Sequence, residues 1–181
     1  MTVPVCSRVL LVGFMGSGKS TVGAAVARQL GWRHADLDDE VEKAAGASVR
    51  EIFSARGEKA FRELEARAAD KLLTASRVVV STGGGWAAAP GRLAEVPAGT
   101  VSIWLDVSAD EALRRAAKEP GRRPLLDVER PLETARQLVE VRRLAYAAAD
   151  RRVDTDASSV DDVTARVLAI LAELGLESST E

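Results

Sequence analysis

The chain is short of cysteine: one residue, Cys6, in 181. A lone thiol closes no intrachain disulfide, so the natural compartment is a reducing one and Cys6 reads as a small apolar core residue. Charge of one sign is missing too, with 25 Lys and Arg against 27 Asp and Glu and a net charge of −2. That balance excludes a general attraction for nucleic acid or for an anionic membrane. No apolar run approaches the roughly 20 residues of a membrane span. The first seven residues, Met1 to Ser7, hold neither the basic stretch nor the apolar core of an export signal. The expectation is a cytoplasmic monomer that meets neither membrane nor nucleic acid. What remains, 46% hydrophobic and 29% charged residues with no internal repeat, is the composition of one globular domain spanning 1–181.

The most informative segment is Gly13-Phe14-Met15-Gly16-Ser17-Gly18-Lys19-Ser20. It fits G-x-x-x-x-G-K-[ST], a loop that cradles phosphate between a strand and a helix. The flanks agree. Arg8 to Val12 is a β-branched and aliphatic run, and Val22, Val26 and Leu30 recur at helical spacing on one face. Successive backbone N–H groups must wrap an anion, so side chains at Gly16 or Gly18 would obstruct it. The positive end of the following helix adds to the site. Lys19 supplies a point charge for the β- and γ-phosphates, and Ser20 offers Mg²⁺ a hard oxygen.

Strands and helices alternate, which indicates an α/β fold around a parallel sheet. Strands are expected at 8–12, 33–35, 78–80, 100–105 and 152–154. Helices are expected at 39–45, 49–55, 58–73, 109–117, 133–149 and 160–174, with a helical turn at 90–95. Val160, Val163, Val167, Ile170, Leu171 and Leu174 would face inward on the last helix, capped by Ser158 or Ser159. Residues 118–129, with Pro120, Gly121 and Pro124, read as a mobile loop within the domain. A tail of about 175–181 would fray.

Ligands of open parallel sheets bind beyond the carboxyl ends of the strands. The phosphate loop, Asp36-Leu37-Asp38 and Gly83-Gly84-Gly85 all fall at such ends, so they should converge. Asp36 and Asp38, two apart in an extended segment, would point the same way. One carboxylate can serve the metal, directly or through water, and the other can take a proton from an attacking hydroxyl. The third strand ends in Ser81-Thr82 rather than an aspartate, which favours Asp36 on the metal side. Three glycines in a row suggest a ligand against bare backbone. Arginines at 62, 122, 123, 142 and 143 can clamp a carboxylate or neutralise a transferring phosphoryl.

Together these segments resemble the shikimate kinase family. The likeness runs through Gly13 to Gly23, Asp36-Leu37-Asp38, Phe61-Arg62-Glu63-Leu64-Glu65, Gly83-Gly84-Gly85, Arg123-Pro124-Leu125-Leu126, Arg142 with Tyr146, and Val153-Asp154-Thr155. The resemblance implies a three-layer P-loop NTPase fold related to nucleoside monophosphate kinases, with a five-stranded parallel sheet flanked by helices and a mobile lid at about 118–129. It implies transfer of the ATP γ-phosphoryl to the shikimate 3-hydroxyl with Mg²⁺, in the chorismate route to aromatic amino acids.

By the same resemblance Lys19, Asp38 and Arg123 are catalytic. Gly13, Gly16, Ser17, Gly18, Lys19, Ser20, Thr21, Arg115 and Arg123 bind ATP, and Ser20 and Asp36 face the metal. Asp38, Arg62, Gly83, Gly84, Gly85 and Arg142 hold the acceptor, with Phe53 and Phe61 as walls and acceptor-binding helices at about 37–73. Trp86 either narrows the acceptor pocket or packs behind it. The competing readings are another small-molecule kinase, such as a gluconate kinase, and a non-catalytic nucleotide-binding module.

Overall fold

A computed structural model describes residues 6–117 and 129–176. The central element is a sheet of five parallel strands: β1 (Arg8–Val12), β2 (Arg33–Asp36), β3 (Val78–Ser81), β4 (Thr100–Asp106) and β5 (Arg151–Asp154). Their spatial order is β2-β3-β1-β4-β5, with Arg8 level with Val78 on one side and Thr100 on the other. Parallel strands buried on both faces need apolar residues at consecutive positions. Val9, Leu10, Leu11 and Val12 meet that need, each 1% exposed or less.

Helices cover both faces. The first, α1 (Lys19–Leu30), packs with α6 (Val160–Glu173) on the Val9 and Leu11 side, where Val22, Val26, Val163, Val167 and Leu171 close a core. The opposite layer holds α2 (Leu37–Ala45), α3 (Val49–Leu72), α4 (Ala109–Ala116) and α5 (Pro131–Tyr146). Leu10, Val12, Val80 and Trp104 meet Leu37, Ala69, Leu72, Ala112 and Tyr146 there. A third small core, Val41, Ile52 and Phe61, ties α2 to α3. Cys6 is buried, as its composition argument anticipated.

The departures from expectation are local. The two helices read at 49–55 and 58–73 both stand within α3, parted at a kink where Gly57 leaves helical geometry with φ 76° and ψ 172°. Val160, the first residue of α6, is 42% exposed rather than inward. Ser159, not Ser158, caps that helix and exchanges hydrogen bonds with Asp162 in a capping box. Leu176, assigned to the fraying tail, is 6% exposed and its N–H donates to Leu171 O at 3.0 Å. The expected lid with Arg123, and residues 177–181, lie outside the described residues.

Gly13 leaves β1 with φ 141°, and a Cβ there would overlap the Leu105 carbonyl. Backbone cannot yield as a side chain can. Gly13→Ala is therefore expected to cost on the order of 2 kcal/mol, lowering the Tm by roughly 5 °C in a thermal melt.

Candidate active site

The phosphate loop follows from its chain. Gly16 and Gly18 sit at φ 78° and 90°, and Gly18 is the N-cap from which α1 starts at Lys19. Lys19 is 7% exposed, and its ammonium donates to the carbonyls of Gly13 at 2.9 Å and Phe14 at 2.8 Å. Its side chain thus already points into the loop mouth. Ser20, one residue on, donates its hydroxyl to Asp36 Oδ2.

Asp36 does not share an extended segment with Asp38. It ends β2 and caps α2, accepting the Asp38 N–H on Oδ1 at 3.0 Å. The chain has already turned into helix at Leu37, so a helical step, not strand alternation, aims Asp38. Both carboxylates line a cavity of about 320 Å³, where Asp36 faces Ser20 and Asp38 lies beside Gly83. Asp38 Oδ1 is buried without a hydrogen-bond partner among the described residues. Burial, then the charges of Asp36 and Glu65, push its carboxyl up to about 7.

Across the cavity stands Glu65 of α3, 1% exposed. One of its oxygens accepts from Arg62 Nη1 at 2.8 Å, and the other is buried and has no hydrogen-bond partner among the described residues. Burial raises this carboxyl as well, with Arg62 acting against it. Arg62 also reaches Glu58 at 3.1 Å. Arg142 of α5, 8% exposed, donates to Gly84 O at 3.1 Å, and the Tyr146 hydroxyl donates to the same carbonyl.

The three glycines each make room for a different neighbour. A Cβ at Gly83 would strike Glu65 Oε1 and come within 2.8 Å of Asp38 Oδ1. One at Gly84 would stand 3.1 Å from Met15 N, and one at Gly85 would overlap the Arg62 guanidinium. Trp86 takes the second of its two expected courses: it is 3% exposed, lies in the core behind the glycines and carries Arg92 over its ring.

The sequence-derived residues sort into two adjoining spaces. Gly16, Lys19, Ser20, Asp36, Asp38, Arg62, Gly83, Gly84, Gly85 and Arg142 line the first cavity, with Phe53 and Phe61, whose ring centroids are 4.7 Å apart. Ser17, Gly18, Thr21 and Arg115 line a second space of about 520 Å³ beside Thr155. Arg115 closes its edge, donating to Gly16 O at 3.0 Å and Thr155 O at 2.6 Å. Gly13 lines neither and acts through the backbone turn.

Two cavity residues were given no role by the sequence reading. Glu65 was visible as a partner one turn from Arg62, but its burial follows only once its spacing from Phe61 and Ala69 is placed against the core. His34 also lines the first cavity. Strand alternation puts it on the same side as Asp36, which was the available signal. Ser81 Oγ donates to Lys19 O at 2.8 Å, so it accepts from His34 Nε2 at 3.0 Å.

The shikimate kinase family model matches residues 15–172. The chain belongs to the shikimate kinase family. A shikimate kinase of Geobacter sulfurreducens is 42% identical over 174 residues, covering 96% of each protein. One of Synechococcus sp. strain RCC307 is 42% identical over 168 residues, covering 93% of this chain and 86% of the relative. Among solved structures, shikimate kinase from Acinetobacter baumannii in complex with shikimate superposes with a TM-score of 0.87 at 30% identity, covering 96% and 97% of the two chains. A gluconokinase from Sinorhizobium meliloti gives 0.62 at 19% identity over 96% and 95%, a likeness of fold alone. Shikimate kinases thus share this chain's sequence as well as its architecture.

Proposed function

We propose that this member of the shikimate kinase family phosphorylates the 3-hydroxyl of shikimate with ATP, giving shikimate 3-phosphate for aromatic amino acid synthesis. The observation that carries the reading is one cavity shared by Lys19, Asp38, Arg62 and Arg142 and floored by Gly83 to Gly85. An acceptor with one carboxylate and several hydroxyls asks for that set: guanidinium groups for the anion, a carboxylate for the hydroxyls, and bare backbone for close approach.

Phosphoryl transfer depends on placement and charge neutralisation more than on covalent chemistry. Arg62 and Arg142 grip the carboxylate and thereby set the ring against Asp38. Asp38, titrating near 7 in the structure, holds the 3-hydroxyl and takes its proton as the oxygen attacks. Lys19 meets the β- and γ-phosphates. The other ATP contacts are Gly13, Gly16, Ser17, Gly18 and Thr21 along the loop, with Arg115 over the base. Arg123 is assigned to the transferring phosphoryl from its Arg-Pro-Leu-Leu motif alone.

Ser20 and Asp36 present two oxygens side by side, a donor set that suits Mg²⁺ completed by phosphate and water. A Mg²⁺ held by these two residues would supply positive charge against the phosphates. The working unit we propose is a cytoplasmic monomer of one domain, with acceptor helices at 37–73 and a lid at 118–129. Among the described residues no helix is long and apolar enough to cross a membrane.

The test is ADP release, coupled to a spectroscopic readout, with shikimate or gluconate as acceptor. Turnover with shikimate and none with gluconate is expected. Turnover with gluconate alone would reassign the acceptor. ATP binding without turnover on either would leave a nucleotide-binding module.

A further inference from the structure

His34, the chain's single histidine, is half-buried on β2, an edge strand of the sheet. It lines the first cavity, and its Nε2 stands 3.0 Å from Ser81 Oγ. Ser81, 0% exposed, gives its hydroxyl proton to Lys19 O at 2.8 Å, so the imidazole donates and the serine accepts. The hydrogen bonds run in one direction, from His34 through Ser81 to the first carbonyl of α1. Room for this relay comes from Gly23, one turn into that helix. A Cβ there would strike Ser81 Oγ and come within 2.9 Å of His34 Nε2. Glycine inside a helix is unfavourable, and here it admits the contact.

Ser81 is also level with Asp36 where β2 pairs with β3. One serine therefore reaches both sides of the metal pair. Its backbone is paired beside Asp36, and its hydroxyl holds the turn of α1 that carries Ser20. Ser20 and Asp36 meet through their own hydrogen bond.

We propose that His34, acting through Ser81, sets the spacing of Ser20 and Asp36 and so the affinity of the site for the divalent cation that accompanies the nucleotide. This rests on the Mg²⁺ reading of Ser20 and Asp36 above and not on which acceptor is phosphorylated. With His34 donating to Ser81 Oγ, the serine proton is directed at Lys19 O, and each bond polarises the next. Without that donor the hydroxyl rotates among its acceptors. The first turn of α1 then loses its fixed tie to β3, and the Ser20 oxygen is held less sharply against Asp36. Mg²⁺ demands near-octahedral placement of its oxygens, so a small displacement costs affinity. His34 is a positioning residue: it acts through Ser81, not on the ion.

The test measures binding of Mn²⁺, a spectroscopic stand-in for Mg²⁺, to the ADP complex by electron paramagnetic resonance. The variants are His34→Leu, His34→Gln and Ser81→Ala. Leucine fills the place without a donor, whereas the glutamine amide offers an N–H at much the same reach. His34→Leu and Ser81→Ala are expected to weaken Mn²⁺ binding by about tenfold, and His34→Gln by less than about threefold. In His34→Leu, ADP affinity without metal and KM for shikimate should each stay within about twofold. Leu72→Ala, on α3 in the opposite core, controls for lost stability and should bind Mn²⁺ as the parent does. Parent-like Mn²⁺ affinity in His34→Leu or Ser81→Ala, equal losses in His34→Leu and His34→Gln, or the same loss in Leu72→Ala overturns the inference alone. So does a rise in KM for shikimate in His34→Leu as large as its loss of Mn²⁺, which would place His34 among the acceptor contacts. Ser20→Ala binding Mn²⁺ as tightly as the parent overturns the metal assignment and this inference with it.

Discussion

Asp38→Asn is expected to lower kcat for shikimate phosphorylation by about 10²- to 10⁴-fold while ATP affinity stays within about twofold. The amide keeps the size of the side chain and its place near the acceptor but cannot take a proton. The parent should show the matching pH profile. With the Asp38 carboxyl titrating at about 7, kcat/KM for shikimate should climb as pH rises through that value and then level off.

Stability should move the opposite way. The folded carboxyl is raised from 3.8 to about 7, so the native state holds its proton more tightly than the unfolded chain does. Stability is then full below pH 4, falls as pH rises from about 4 to 7, and stays low above that, with a loss on the order of 4 kcal/mol at most. Asp38→Asn carries no such charge. Its Tm in the absence of ligands should exceed the parent's at pH 8, and the gap should close near pH 4. A variant that turns over at the parent rate removes Asp38 from the proton transfer. One no more stable than the parent at pH 8 places the strain of the site elsewhere.

Arg62→Ala is expected to raise KM for shikimate by about 100-fold and KM for ATP by less than about threefold. The guanidinium is 28% exposed and offers a planar fork to a carboxylate. Arg62→Lys should recover little, because an ammonium cannot reproduce that fork. The substitution also strips Glu65 of the partner 2.8 Å away. A buried carboxylate without its cation is costly, so Glu65 should hold a proton to higher pH than in the parent, and the variant should lose more stability as pH rises. Equal rises in both KM values would assign Arg62 a structural role instead. Kinetics with each substrate varied in turn, beside melts at pH 6 and pH 8, separate the two effects.

Much of the site was legible because its parts are local. The phosphate loop is a run of adjacent residues whose shape is set by backbone, and glycine and lysine positions reveal it directly. Asp36 and Asp38 were legible as a pair but not in geometry. Strand alternation gave them one direction, whereas Asp36 caps a helix and sends Asp38 round a turn. The acidic run Asp38-Asp39-Glu40 behind it was the sign of a helix start.

Glu65 illustrates the remaining limit. Its spacing from Phe61 and Ala69 puts it on the buried side of α3, but a charge there has meaning only once Arg62, Gly83 and Asp38 surround it. Arg62 lies one turn away on the same helix, but Gly83 and Asp38 come from other segments, and no local pattern records their distance. Val160 fails for a similar reason: helical periodicity tells which way a side chain points, not whether a neighbour extends far enough to cover it.

The sheet also acts as a partition wall. Val9 and Leu11 look toward α1, which begins at Lys19, while Leu10 and Val12 look toward the layer that holds Arg62 and Arg142. Among the described residues no side chain belongs to both of these cores, so a methylene trimmed from one is felt across the wall only through strand backbone. Damage behind α1 should show first in handling of the nucleotide, and damage behind α3 and α5 in handling of the acceptor. A kinase with two substrates thus keeps two separately adjustable foundations under a single floor.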